Sequence, residues 1–171
     1  MVSKIVIASI IVLGGIGYMT YRASLPRGVR NNNPLNIRES DGDRTEWKGE
    51  SALDIDKSFE EFTHPVYGFR AAARILRSYE RQGYKTLTQM IHRFAPPSEN
   101  DTDLYVKHVS QWSGIGANEL VDVNNQEQLA KLLHAMSRKE VGNYYGINMA
   151  REGVAMALSL IHISEPTRPT D

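Results

Sequence analysis

Asn124-Asn125-Gln126-Glu127-Gln128-Leu129-Ala130-Lys131-Leu132-Leu133-His134-Ala135-Met136-Ser137-Arg138-Lys139-Glu140-Val141-Gly142 decides the fold class. Leu129, Leu132, Leu133 and Met136 recur at helical spacing and line one face. Asn124 followed by Glu127 reads as the N-terminal cap, and Gly142 as the stop. Glu140 comes four residues after Met136, on that same apolar face. A carboxylate there is desolvated, and desolvation raises its pKa. The helix C-terminus beside it disfavours negative charge as well. A Glu with a raised pKa is what a general acid requires. The bland alternative is a helix-end Glu paired with Arg138 or Lys139 in solvent.

Outward from this helix the same periodicity repeats. Pro65 suits a first helical turn. Val66, Phe69, Ala73, Leu76 and Tyr79 or Glu80 follow at helical steps, and Gly83 ends the run. Thr86 with Gln89 is a capping-box pattern. Leu87, Met90, Ile91 and Phe94 share a face, and Pro96-Pro97 stops that helix. Asp101 or Thr102 can cap another, whose stripe is Tyr105, Val109 and Trp112 and whose stop is Gly114. A last helix begins at Ile147 and runs to about Ala157. Residues 47–62 alternate weakly around Gly49 and read as a short hairpin or extended excursion. The expectation is a mainly α domain with one short β excursion, spanning residues 24–157.

Composition narrows the function classes. The 171 residues hold 20 basic and 20 acidic side chains, so net charge is zero. That gives no electrostatic footprint for nucleic acid. Hydrophobic residues make up 41%, enough for a core rather than a disordered chain. There is no Cys, which excludes a Cys-His peptidase and a disulfide framework. His64, His92, His108 and His134 show no metal-ligand spacing, so neither metal nor cofactor is expected. Asp54-Ile55-Asp56 lacks the Gly and closing Glu of a calcium loop and reads as solvated loop. No G-x-S-x-G elbow occurs.

Two phrases carry more than packing requires: Arg27-Gly28-Val29-Arg30-Asn31-Asn32-Asn33-Pro34-Leu35-Asn36-Ile37-Arg38, and Phe94-Ala95-Pro96-Pro97-Ser98-Glu99-Asn100-Asp101-Thr102-Asp103-Leu104-Tyr105. Both concentrate amides, Pro and Arg in irregular backbone. Together they resemble a family of bacteriophage proteins with a lysozyme-like, peptidoglycan-cleaving domain, often labelled virion structural proteins. That family usually reads R-G-I-R-N-N-N-P-G-N-I-R and A-P-P-x-E-N-x-T-x-x-Y. The resemblance covers residues 27–142. Leu35 stands where the family usually has Gly, a residue that tolerates positive φ.

The resemblance implies a lysozyme-like helical fold and cleavage of the β-1,4 bond between N-acetylmuramic acid and N-acetylglucosamine. Residues 135–142 resemble the helix-end Glu of lysozyme-type transglycosylases. Those usually show Glu-Ser-Gly or Glu-Asn-Gly, so Val141 departs from the pattern. Glu140 is therefore the first candidate acid. Glu99, in the second phrase, is the next, with helix capping as its alternative. Glu39 is the third. Asn31, Asn32, Asn33, Asn36 and Asn100 can hydrogen-bond sugar hydroxyls and N-acetyl groups, although Asn is equally a turn former. Trp47, Tyr67 and Tyr105 can stack on sugar rings. Trp112 follows a core stripe and reads as structural. No second carboxylate pairs with Glu140 in the sequence, which favours a transglycosylase over a two-carboxylate hydrolase. Two rivals stand beside the enzyme: a virion or envelope protein that binds glycan without cutting it, and a membrane-anchored helical interaction domain.

The two ends differ from the domain. Residues 5–19 are almost unbroken apolar sequence after Lys4, short for a span of about 20 residues. Extended to residues 2–21, they read as a weak membrane anchor or signal-anchor within residues 1–23. A cleaved signal peptide lacks its A-x-A site here, and a buried core helix is the third reading. The segment does not fix which side the domain faces; the resemblance implies the cell-wall side of a membrane or a virion. Residues 158–171 resemble the translation of a sequencing-library adapter and are set aside as a non-native tail.

Overall fold

The computed structural model describes residues 20–39, 45–53, 55–97 and 101–159. The apolar stretch 5–19 lies outside these residues, as does 160–171. Among the described residues, no helix is long and apolar enough to cross a membrane.

The described residues form a set of helices, and no sheet occurs among them. Residues 20–24 are helical. Then come α1 (Arg27–Arg30), α2 (Pro65–Arg81), α3 (Leu87–Phe94), α4 (Thr102–Ser113), α5 (Gln126–Val141) and α6 (Ile147–Leu158). Their ends follow local chemistry. The His64 imidazole accepts the Val66 N–H ahead of Pro65, and Thr86 and Gln89 close a complete capping box. Asp101 caps α4 through the Leu104 N–H. The cap of α5 is Asn125, which accepts the Gln128 N–H, one residue later than the Asn124 expected from sequence. Either Asn offers the same oxygen, and the backbone around Asp122 decides between them. Asn124 N–H instead bonds to Asp122, in a turn ahead of the helix.

The apolar faces meet in one core. Leu129, Leu132, Leu133 and Met136 are fully enclosed, as are Phe69, Leu76, Leu87, Met90, Ile91 and Val109. Helix α2 packs on α6, α6 on α5, α5 on α4 and α4 on α3, while α1 touches α5. The α2–α6 crossing is close because Gly153 faces it. A Cβ there would lie 2.6 Å from Phe69 Cβ and 2.7 Å from the Val66 carbonyl oxygen. Gly153→Ala is expected to force the helices apart and cost about 1–3 kcal/mol, read as a lowered urea midpoint with an unchanged slope.

The described residues of 47–62 form an extended excursion, with isolated bridges and no hairpin ladder among them. Isolated antiparallel bridges join Glu50 to Phe62 and Arg38 to Phe59. The excursion divides its backbone bonds between two neighbours: Ser51 N–H reaches Glu61 O, while Glu60 N–H reaches Ile37 O. No run of consecutive pairs develops, because the partner changes within a few residues.

Leu35 is completely buried. The positive φ angles of this turn fall at Asn32 (51°) and Asn36 (47°) instead, two residues that tolerate them. A side chain in place of Gly at position 35 therefore supplies core without strain.

Candidate functional site

Glu140 sits in the last turn of α5, partly buried, with Gly142 capping the helix behind it. The apolar stripe beneath it carries its carboxyl against the body of the domain. Two other elements reach it there. From the loop after α1, Asn36 donates its Nδ2–H to Oε2 at 2.9 Å. From α4, the Tyr105 hydroxyl donates to Oε1 at 2.9 Å. Each oxygen of the carboxyl thus has its own donor, and the donors stand 104 and 35 residues away in the chain.

Burial raises the Glu140 pKa above the ordinary carboxyl value. The hydrogen bonds from Asn36 and Tyr105 oppose this, followed by the charges of Lys139 and Arg38. The net direction is upward, so desolvation outweighs the donors and cations. Tyr105 is 2% exposed, and burial followed by the Glu140 charge holds its phenol in the neutral form, well above the ordinary tyrosine value. It is therefore a hydroxyl that can both donate and accept.

Asn36 is delivered by a tightly built turn. Gly28 lies beneath it: a Cβ there would come 2.6 Å from Asn33 O and 2.7 Å from Val141 Cγ1, and would also strike Asn36 Oδ1. Only a residue without a side chain lets the Asn-rich turn close on the end of α5. Asn33, fully enclosed, braces the turn from inside. It donates to the carbonyls of Ile37 and Glu60, both at 2.9 Å, and accepts from Ile37 N–H.

The structure therefore separates the expected site residues. Glu140, Asn36 and Tyr105 converge. Tyr105 does so edge-on through its hydroxyl, inside the fold, and its ring is not a stacking surface for sugar. Asn31 is buried and donates to Asp56, while Asn32 donates to the Phe62 carbonyl. With Asn33, these amides hold backbone and loop together. Trp47 is 6% exposed with its indole N–H on Glu60, so its ring faces are also occupied. Burial corrects the sugar-contact reading for Asn31, Asn33 and Trp47. Tyr67 stays half-buried, its ring lying across Gly49. Glu39 is exposed, and its backbone N–H bonds to Ser58. Glu99 and Asn100 lie outside the described residues.

One participant, Arg38, escaped sequence reasoning, whereas Lys139 is among the partners adjacency offers Glu140. Arg38 and Lys139 both act on Glu140 by charge. Lys139 Nζ lies 5.9 Å from the centre of the Tyr105 ring. The adjacent Arg138 turns the other way, 4.4 Å over Trp112, which in turn stacks on His108 at 5.1 Å. Nothing local marks Arg38.

Asp56 is a further correction. It was expected in solvated loop, yet its side chain is only 7% exposed beneath the Arg27 guanidinium. Arg27 grips it through Nε and Nη2, and Asn31 adds a third bond. The hydrogen bond from Arg27 leads the causes that hold the Asp56 carboxyl down to about 2, from 3.8. The folded state thus binds fewer protons here than the unfolded chain. Its stabilisation is complete above the ordinary value and lost as pH falls through about 2. The protection of amides 55–60 relative to free-chain exchange at the same pH should fall only in that acid window. Arg27→Ala should move the onset upward.

Among the described residues, no group of three or more His, Asp or Glu side chains could hold a metal ion. No protein-family model matches the chain. Protein P5 of Pseudoalteromonas phage PM2 is 40% identical to it over 149 residues, covering 86% of this chain and 91% of that protein. At that identity and coverage the relationship extends well beyond the phrases around the site, and the chain belongs to the family of phage PM2 Protein P5.

Proposed function

We propose that this phage protein cleaves peptidoglycan glycan strands at the bond between N-acetylmuramic acid and N-acetylglucosamine. Glu140 is the general acid and then the base, in a lysozyme-like domain. The observation that carries the reading is the carboxyl at the end of α5. It is partly buried with a raised pKa, and each oxygen is oriented by a separate donor. A glycosidic acid needs a proton retained toward neutral pH and a fixed direction of delivery. Desolvation supports the first and the Asn36–Tyr105 pair the second.

The charged neighbours acting on Glu140 are cations, Lys139 and Arg38. A two-carboxylate hydrolase places its second carboxyl roughly 5–9.5 Å away. A lytic transglycosylase works with one carboxyl, and the attacking group is then the sugar's own 6-hydroxyl. Among the described residues the charges acting on Glu140 are those of cations, which supports that course. Residues 2–21 would tether the domain to a membrane, facing the cell wall or within the virion.

A second reading is a glycan-binding virion protein that does not cut. It is favoured by the two donors on Glu140, since both stabilise the charged carboxylate, which accepts hydroxyl protons but cannot supply one. Digestion of purified sacculi by the full chain, with products identified by mass, separates the readings. Anhydro-muropeptides are the expected products. New reducing ends would indicate a muramidase, and sacculus binding without products would replace cleavage by the second reading.

A further inference from the structure

The two donors to Glu140 differ in kind. The Asn36 amide nitrogen can only donate, whereas a tyrosine hydroxyl donates or accepts by rotating its proton. Asn36 shows that its bond is dedicated. Its Oδ1 is buried without a hydrogen-bond partner, and its backbone is held at a left-handed φ of 47°. An orphaned acceptor and an uncommon φ are both unfavourable. The turn retains them while the amide keeps its one side-chain bond, to Oε2.

We propose that Asn36 and Tyr105 are positioning residues that assign the exchangeable proton of Glu140 to one oxygen, Oε1. Oε2 faces an N–H that never becomes an acceptor in this orientation, so a proton placed there would meet another proton. Oε1 faces a hydroxyl that can reverse. In the acid form the Tyr105 oxygen accepts from Oε1–H or yields it to a substrate. In the carboxylate form the Tyr105 O–H donates to Oε1, as the structure has it.

The catalytic meaning rests on the glycosidase reading, where the transfer balances simply. The Oε1–H bond breaks and its electron pair stays on Oε1. The proton goes to the glycosidic oxygen, which also receives the electron pair of the breaking C1–O bond, and C1 is filled by an electron pair of the sugar's own 6-hydroxyl oxygen, whose proton passes back to Oε1 in the closing step. Between the two transfers Tyr105 turns its proton onto Oε1 and stabilises the new carboxylate. Lys139 on α5 and Arg38 after α1 are the charged groups facing this carboxyl, and Tyr105 on α4 is the titratable one. Lys and Arg carry their charge throughout the range in which carboxyls titrate. They therefore bias the midpoint equally in every variant below.

The test needs no glycan. Carboxyl ¹³C signals of the full chain in detergent are titrated, with Glu140→Gln identifying the Glu140 resonance. Tyr105→Phe keeps the ring and removes only the hydroxyl. It should raise the Glu140 midpoint by about one pH unit, a tenfold tighter hold on the proton. In the wild-type protein both donors should sense the Glu140 midpoint, the Tyr105 ring ¹³Cζ with the larger change because its hydroxyl reverses while the Asn36 amide only loses the charge it faces. This second readout stands even if the variant fails to fold. An unchanged midpoint in folded Tyr105→Phe, or a titrating Asn36 amide beside a silent Tyr105, would overturn the assignment to Oε1. Absence of glycan cleavage would overturn the proposed activity alone and leave these titrations as they are.

Discussion

Glu140→Gln is expected to lower sacculus digestion by about 10²–10⁴-fold, the usual contribution of a positioned general acid. The amide has nearly the shape of the acid, so the domain should keep its circular dichroism and its thermal midpoint within a few degrees. One contact changes character: a Gln oxygen can still accept from Asn36 or Tyr105, but its NH2 must face the other donor. Tyr105 can accommodate that by rotating its hydroxyl, whereas Asn36 cannot. The glutamine should therefore place its oxygen on Asn36 and its nitrogen on Tyr105. Sacculus binding should survive the substitution. Undiminished digestion by Glu140→Gln would remove Glu140 as the proton donor, and Glu99 would become the candidate to test next.

The largest effect on stability is expected at Asn33. Asn33→Ala would remove three hydrogen bonds from a fully enclosed position. The Ile37 carbonyl keeps the Glu60 N–H as a partner. The Ile37 N–H and the Glu60 carbonyl lose their bonds to the Asn33 side chain. A buried polar group left unsatisfied costs about 1–3 kcal/mol, so the loss should be at least about 2 kcal/mol. In a domain of this size that lowers Tm by roughly 6 °C or more. Asn33 also braces the turn that presents Asn36, so activity should fall further than the fraction of folded protein. A Tm within about 2 °C of wild type would mean that water or a shifted backbone replaces the amide, and that the turn closes without it.

These two residues mark how far the chain could be read in advance. Glu140 was legible because a helix has one period, and a carboxylate that falls on the apolar stripe is displaced toward the core wherever that helix packs. The capping box at Thr86 and the stops at Gly114 and Gly142 were legible for the same local reason. Asn33 was legible only as a type of residue. An amide in a turn-forming run can face a ligand or its own backbone, and the choice depends on what encloses it. Trp47 shows the same ambiguity. Its ring suits a sugar platform equally well, and the Glu60 carboxylate that takes its indole N–H lies 13 residues farther along the chain.

What the sequence determined alone is what neighbours within a helical turn determine: the helices, most of their caps, the apolar stripes and the place of Glu140 on one of them. Periodicity and capping act over three or four residues, so they are written where they operate. The tertiary structure decided the rest. Packing of α4 on α5 brought the Tyr105 hydroxyl, rather than its ring face, to Glu140. Closure of the Asn-rich turn over Gly28 brought Asn36 to the other oxygen. Burial sorted Asn31, Asn33 and Trp47 into the frame. Those outcomes depend on which surfaces exclude water from one another across as many as 104 residues of chain, and no local pattern encodes that.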